Sequence, residues 1–322
     1  DNEQLEWIRD FRGRLHALEG GSTAINVEQL FDYAHHDAEM WRMDQQRVRV
    51  GRGDGPATPW NHARMIDHVL GLLQEQVSRV ILERQRDATV SAIVGFAQQL
   101  RAGDGVITFN YDTLVENALD ECKTTWSHGL QDLKEEPHVV VLKMHGSADW
   151  FQFERGNPLP GFTRLYSKTD ENASDDNIPD EYEYRAELWR ADTTCALDNA
   201  LERYHGISDR YSFPGIVGLG GFKPLHKLVG SGLTWSRAGG ALREAKQIIV
   251  IGFSLSPYDG MARLCFADAM NDRKRQNNLP KEVRLIDPNA DLLAVNYKNV
   301  FQVPMLFDTR ACQDVNWPNL LV

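Results

Sequence analysis

The chain has 322 residues, 42% of them hydrophobic and 25% charged, with a formal net charge of -11. That is the composition of a globular protein with enough chain for one large α/β domain or two small ones, and the negative balance argues against passive binding to a phosphate backbone. The longest apolar runs, at 139–142 and 248–251, are far too short to span a bilayer, and no charged-then-apolar leader opens the sequence, so a cytoplasmic protein with no membrane partner and no direct nucleic-acid contact is expected. The four cysteines, Cys122, Cys195, Cys265 and Cys312, are scattered and form no Cys-x-x-Cys pair, which speaks against both a zinc ribbon and a disulfide framework; no metal is expected. In chain order, Leu5, Ile8, Phe11, Leu15 and Leu18 give a helix closed by Gly20-Gly21. Asn26 opens a second helix with Leu30, Phe31 and Tyr33 on its apolar side. His35-His36 reads as a solvated pair, because adjacent residues on a helix point apart. The glycines of 51–55 have no strand before them and a proline after, which makes a surface loop rather than a phosphate cradle.

Residues 61–101 carry helical apolar spacing, and Gly103 to Gly105 turns the chain into the central motif of the sequence. There Val106, Ile107 and Phe109 form a short apolar run that ends in Asn110 and Asp112. A helix follows through Leu114, Val115, Ala118 and Leu119. A second run, 139–144, ends in His145-Gly146-Ser147, and a third, 247–251, ends in Gly252-Phe253-Ser254. Buried parallel strands have this form, with apolar bodies and functional groups at their carboxyl ends. Three such ends point to one crevice above one sheet. Between them, residues 152–213 are of mixed character and read as an insertion or small lobe, with an acidic surface loop at 170–176 and a helix-like stretch at 186–204. Residues 214–217 are a further strand candidate, the glycines of 218–221 open no convincing helix, and Leu233, Trp235, Ala241, Leu242 and Ala245 predict a helix. Residues 284–286 form a last core strand ending in Asp287-Pro288-Asn289, and 300–307 read as an edge strand. The predicted fold is a Rossmann-like doubly wound parallel sheet with a helical amino-terminal part and an inserted small lobe, a single α/β domain over residues 1–322.

The strand ends carry a coherent chemistry. Asn110 offers a donor and an acceptor to sugar hydroxyls or a water. Asp112 can accept from an amide, and His145 can take a proton at neutral pH. Gly252 permits close backbone approach to a phosphate, while Ser254 can cap the next helix and donate to that phosphate. Together these groups suit cleavage of a glycosidic bond in a nucleotide. Read one at a time, Asn110 and Asp112 are equally good turn formers, His145 a satisfied core histidine, and Gly252 and Ser254 helix starters; it is the three ends together that favour a site.

The segment Thr108-Phe109-Asn110-Tyr111-Asp112-Thr113-Leu114-Val115-Glu116 resembles the "NYD" segment of the sirtuin-like NAD-cleaving domains of bacterial anti-phage defence proteins. Leu142-Lys143-Met144-His145-Gly146-Ser147-Ala148-Asp149-Trp150 is similar to their "HGS-x-DW" segment, and Ile251-Gly252-Phe253-Ser254-Leu255-Ser256-Pro257-Tyr258-Asp259 to their "GYSL-P-x-D" segment. The resemblance covers roughly residues 90–300, in the same order and spacing. It implies an NAD hydrolase that releases nicotinamide and ADP-ribose, with NAD as substrate and no cofactor, acting as a defence effector in a homo-oligomer with a regulatory protein partner. It implies that Asn110 orients the water or the reacting ribose and that His145 takes the proton. Asp112 would recognise the nicotinamide amide; Gly252 and Ser254 would hold the ribose-phosphate side, and Asp287 with Asn289 the adenosine half; Phe109 and Gly146 would also contact NAD. The family's Gly-x-Gly-x-Ser turn does not occur in these residues and is expected upstream of Asp1. A catalytically silent NAD or ADP-ribose sensor is the alternative. Protein deacylation is the weaker one, since the cysteine-bound zinc module of deacylases is absent from the sequence.

Overall fold

The computed structural model describes residues 58–86, 90–130, 138–154, 160–167, 186–192, 212–217, 228–257 and 259–319. The helices expected before residue 34, the histidine pair, the loop glycines at 51–55, the acidic run and the glycines of 218–221 lie outside those residues. The chain divides into two compact units, Asp1–Val77 with Val217–Pro224, and Ser78–Ile216 with Leu225–Val322. Helix α1 (Thr58–Arg86) contributes residues 58–77 to the first unit and 78–86 to the second. Everything below belongs to the second unit.

Two three-stranded parallel sheets form its centre. In one, β1 (Gly105–Thr108) and β2 (Trp126–Ser127) lie on either side of β3 (Val139–Lys143). In the other, β9 (Val283–Ile286) lies between β8 (Ile248–Ile251) and β10 (Met305–Asp308). The apolar runs form strands rather than helices because helices cover both of their faces. Val139 and Val141 turn one way, into a core made with α2 (Ser91–Ala97) and α3 (Leu114–Glu121) through Ala97, Ala118 and Leu119. Val140 and Leu142 turn the other way, against Ala238 and Trp235 of α4 (Ser231–Glu244). The second sheet repeats the arrangement. Ile248, Val283 and Leu285 pack on Phe266 and Met270 of α5 (Gly260–Arg275) and on Tyr297 and Phe301 of α6 (Ala290–Phe301). Ile249, Ile251 and Ile286 turn to Val315, Trp317 and Phe96. Phe96 serves cores on one face of both sheets, and Ile107, Phe109 and Trp235 serve cores on the other. The unit is therefore α/β, with parallel strands between helical layers.

A four-stranded antiparallel sheet grows out of the first parallel sheet. Its order is β5 (Phe162–Ser167), β6 (Ala186–Ala191), β4 (Gly146–Glu154), β7 (Ser212–Ile216). The helix-like reading of 186–204 fails at its start: residues 186–191 are a strand paired on both edges, with β4 and with β5. Long-range backbone pairing outweighs a weak local helical pattern here. The edge strand expected over 300–307 is likewise divided. Helix α6 runs to Phe301, Gln302 closes it in the left-handed conformation (φ 55°), and only residues 305–308 pair.

Candidate functional site

The site begins with how two chain segments are joined. After β1, the main chain of Tyr111 accepts from the Ala148 N–H at 2.8 Å and from the Ser147 hydroxyl at 3.3 Å, while the Met144 N–H reaches the Thr108 carbonyl at 2.9 Å. The segments 108–113 and 144–148 are thus bonded along their length. The Trp235 indole donates to the Met144 carbonyl at 3.2 Å, fixing the turn from the side of α4. Gly146 makes that turn at φ 83°, and a Cβ there would sit 1.8 Å from the Gly215 carbonyl oxygen of β7. Only glycine fits, for a packing reason as well as a conformational one.

His145 rides on this turn and is buried, 5% exposed. Its ring meets Phe109 edge-on, with centroids 5.2 Å apart, and lies 6.2 Å from the Tyr111 ring and 6.4 Å from that of Trp235. Its Nε2 is 3.9 Å from Oδ2 of Asp259. Phe109 in turn stacks flat on Phe253, at 4.2 Å and 1° between planes. That stack sets the carboxyl ends of β1 and β8 side by side and links all three of the sequence segments. Asn110 lies between Phe109 and Tyr111 but is exposed, its N–H bonded to the Thr108 hydroxyl at 3.2 Å.

The acidic candidates have local tasks. Asp112 is half-buried, and its Oδ1 accepts from the Leu114 N–H at 3.1 Å, which starts α3. Asp287 accepts from the Asn289 N–H at 2.7 Å in the same way before α6. Gly252 is exposed, at φ 59°, with nothing within 4 Å of where a Cβ would stand. Ser254 is exposed and does not cap a helix. The cap of α5 is Asp259, whose Oδ1 accepts from the Ala262 N–H at 3.3 Å. Leu255, fully buried, sits between them at φ 45°. A bulky residue held in that region marks a conformation imposed by its surroundings. Arg263 donates to the Leu255 carbonyl at 3.3 Å, Asn296 to that of Ser254 at 2.9 Å, and the Tyr297 hydroxyl to that of Phe253. Helices α5 and α6 thus hold the loop after β8 by its carbonyls. Burial pushes the Tyr297 phenol well above its ordinary range, so it stays a donor.

Beneath the site lies a buried charged pair. Lys143, 1% exposed at the end of β3, sets its ammonium 3.2 Å from Glu116 of α3 and donates to the Asp112 carbonyl. Burial pushes the Glu116 carboxyl up, and the facing Lys143 ammonium works against that shift. Gln85 closes the same loop from α1 with two bonds to Thr113, at 2.9 and 3.0 Å. Further along, Asp149 pairs with Arg190 at 2.9 Å, and burial drives His128, edge-on between Trp126 and Trp150, down to about 3.

The arrangement places an imidazole beside a carboxylate among aromatic rings, with an open glycine turn and two half-buried Asx-turn residues, Asp112 and Asp287, along the same strand ends. Phe109, His145 and Gly146 are drawn into the buried half; Asn110, Gly252, Ser254 and Asn289 face solvent. Lys143, Glu116, Trp235, Asp259, Arg263, Asn296 and Tyr297 were given no part in the site by the sequence. Asp259 alone left a readable signal, an Asx residue just before the periodic run Ala262, Phe266, Ala269, Met270. Among the described residues no group of three or more His, Cys, Asp or Glu side chains could hold a metal ion, and no helix is long and apolar enough to cross a membrane. No protein-family model matches the chain, and a search of curated proteins finds no relative.

Proposed function

We propose that this protein is an NAD hydrolase of the sirtuin-like type, releasing nicotinamide and ADP-ribose as an effector of bacterial defence. The observation that carries the reading is the position of His145. It is a buried imidazole at the carboxyl end of a parallel strand, walled by Phe109, Tyr111 and Trp235 and 3.9 Å from a carboxylate. The Phe109–Phe253 stack supports a single doubly wound sheet with the site at its switch point. From that stack β1 and β3 run outward one way and β8, β9 and β10 the other, the order in which such sheets bind nucleotides.

In this reading nicotinamide leaves ribose through an oxocarbenium-like state. Asn110 orients the water or the ribose, and His145 takes the proton. Asp112 meets the nicotinamide amide with the carboxylate that also starts α3, and Phe109 and Gly146 shape that end. Gly252 and Ser254 receive the ribose-phosphate side, and Asp287 and Asn289 the adenosine half. Cytoplasmic action in a homo-oligomer under a regulatory partner completes the proposal. Exposed Met261 and Leu264 on α5, and Leu292 and Val295 on α6, are apolar surface of the kind assembly would cover. A catalytically silent NAD or ADP-ribose sensor is the alternative reading.

The test is incubation with NAD, with and without an acylated peptide, following nicotinamide and ADP-ribose. Peptide-independent release is expected, falling by at least about 100-fold in His145→Ala and Asn110→Ala. Equal turnover in folded variants rejects the assignment, binding without release identifies a sensor, and release only with peptide identifies a deacylase.

A further inference from the structure

We propose that Asp259 is the positioning carboxylate of His145, a role that rests on His145 acting as the proton acceptor above. The two residues come from different parts of the fold, the turn after β3 and the head of α5, yet their Nε2 and Oδ2 atoms lie 3.9 Å apart and both side chains are buried. Asp259 is held in place twice. Its Oδ1 accepts from the Ala262 N–H and its carbonyl from the Arg263 N–H at 3.1 Å, so the carboxylate cannot turn from the imidazole without uncapping the helix. The rings of Phe109, Tyr111 and Trp235 pack around His145, and a fixed carboxylate beside it can offset a positive charge on the imidazole, as in other acid–imidazole pairs.

A carboxylate facing Nε2 keeps a proton on that nitrogen and gives Nδ1 the accepting role. In hydrolysis the water oxygen bonds to the anomeric carbon and its proton passes to Nδ1. The C–N electron pair departs with nicotinamide, which leaves neutral. The imidazolium so formed is stabilised by Asp259. A separation of 3.9 Å exceeds a hydrogen bond, but catalytic hydrogen bonds commonly tighten only when substrate is bound.

A helix cap alone would explain Asp259 structurally, and one substitution separates the two roles. Asparagine caps a helix as well as aspartate does but carries no charge. Asp259→Asn is expected to keep the melting temperature and the KM for NAD while kcat for nicotinamide release falls about 10²–10⁴-fold. Asp259→Ser, also able to cap, should lose kcat alike. Histidine-selective ¹⁵N spectra supply a readout independent of turnover, with the His145 signals identified by their loss in His145→Gln. The wild type should show one tautomer, protonated at Nε2, and Asp259→Asn a mixture. Unchanged kcat with unchanged ring shifts in both variants would reduce Asp259 to a cap and overturn the proposal. If the wild type releases no nicotinamide, the NAD reading falls by itself. The ring spectra then decide the pairing: a changed tautomer upholds it and an unchanged one removes it.

Discussion

The two halves of the candidate crevice are built differently. The half at the ends of β1 and β3 is dry: His145, Phe109 and Tyr111 are buried or half-buried, a turn glycine touches backbone, and a buried ammonium ties the loop down. The half at the ends of β8 and β9 is open, with Gly252, Ser254 and Asn289 exposed and main-chain groups held from beneath by Arg263, Asn296 and Tyr297. Chemistry that moves a proton gains from exclusion of water, whereas recognition of a charged, hydrated ligand portion needs access to it. Under the proposed reading, the reacting end belongs to the first half and the holding end to the second.

The contrast is sharpest at its two turn glycines. Gly146→Ala should abolish folding of the antiparallel lobe, because a Cβ 1.8 Å from the Gly215 oxygen cannot be accommodated without moving β7. Loss of cooperative unfolding by near-UV circular dichroism checks it. A well-folded Gly146→Ala protein would mean that the dry half is far looser than its geometry indicates.

Next in size is the clamp. Lys143→Met leaves Glu116 without its ammonium and should cost about 3–5 kcal/mol in urea unfolding. Adding Glu116→Leu should recover most of that, leaving a deficit of about 1–3 kcal/mol from the Asp112 carbonyl that has lost its donor. Full recovery would show that Lys143 does not hold the site loop.

A smaller effect depends on pH. The His128 imidazole is held at about 3, against an ordinary 6.5. Above pH 6.5 it is neutral folded and unfolded, and nothing is lost. As pH falls below 6.5 the unfolded chain takes up the proton and the fold does not, so stability drops by about 1.4 kcal/mol per pH unit. Glu116, shifted upward, works in the opposite direction at lower pH, so the measurement compares wild type with His128→Leu between pH 6.5 and 5. Parallel slopes would place His128 in contact with water.

Smallest is Gly252→Ala in the open half. With nothing within 4 Å of the new Cβ, only the left-handed conformation at φ 59° resists it. The stability cost is about 1 kcal/mol, while the KM for NAD should rise because the backbone can no longer approach a phosphate closely. A stability loss as large as that of Gly146→Ala would erase the distinction between the halves.

Strands β1, β3 and β8 could be read along the chain because each is a short apolar run packed on both faces, and their carboxyl ends were marked by Asn110, His145 and Gly252. A helix after β8 was expected but α6 was not, although Asp259 and Asn289 stand at the caps of α5 and α6 and apolar residues recur at helical spacing behind them. Ser254 was assigned the cap instead, five residues early, because nothing local reveals that Leu255 adopts a left-handed conformation before the helix can start. Strand β6 was misread as helix because its partners lie twenty or more residues away, on β4 and β5.

The amino-acid order by itself determined where β1, β3, β8 and β9 lie and which polar groups their ends present, since hydrophobic runs and the residues that interrupt them are local properties. Only the tertiary structure decided which of those groups are dry and which are wet, that Gly146 is demanded by Gly215, and that Asp259 faces His145. Those relations depend on burial and on contacts between segments roughly seventy to over a hundred residues apart, which no local pattern encodes.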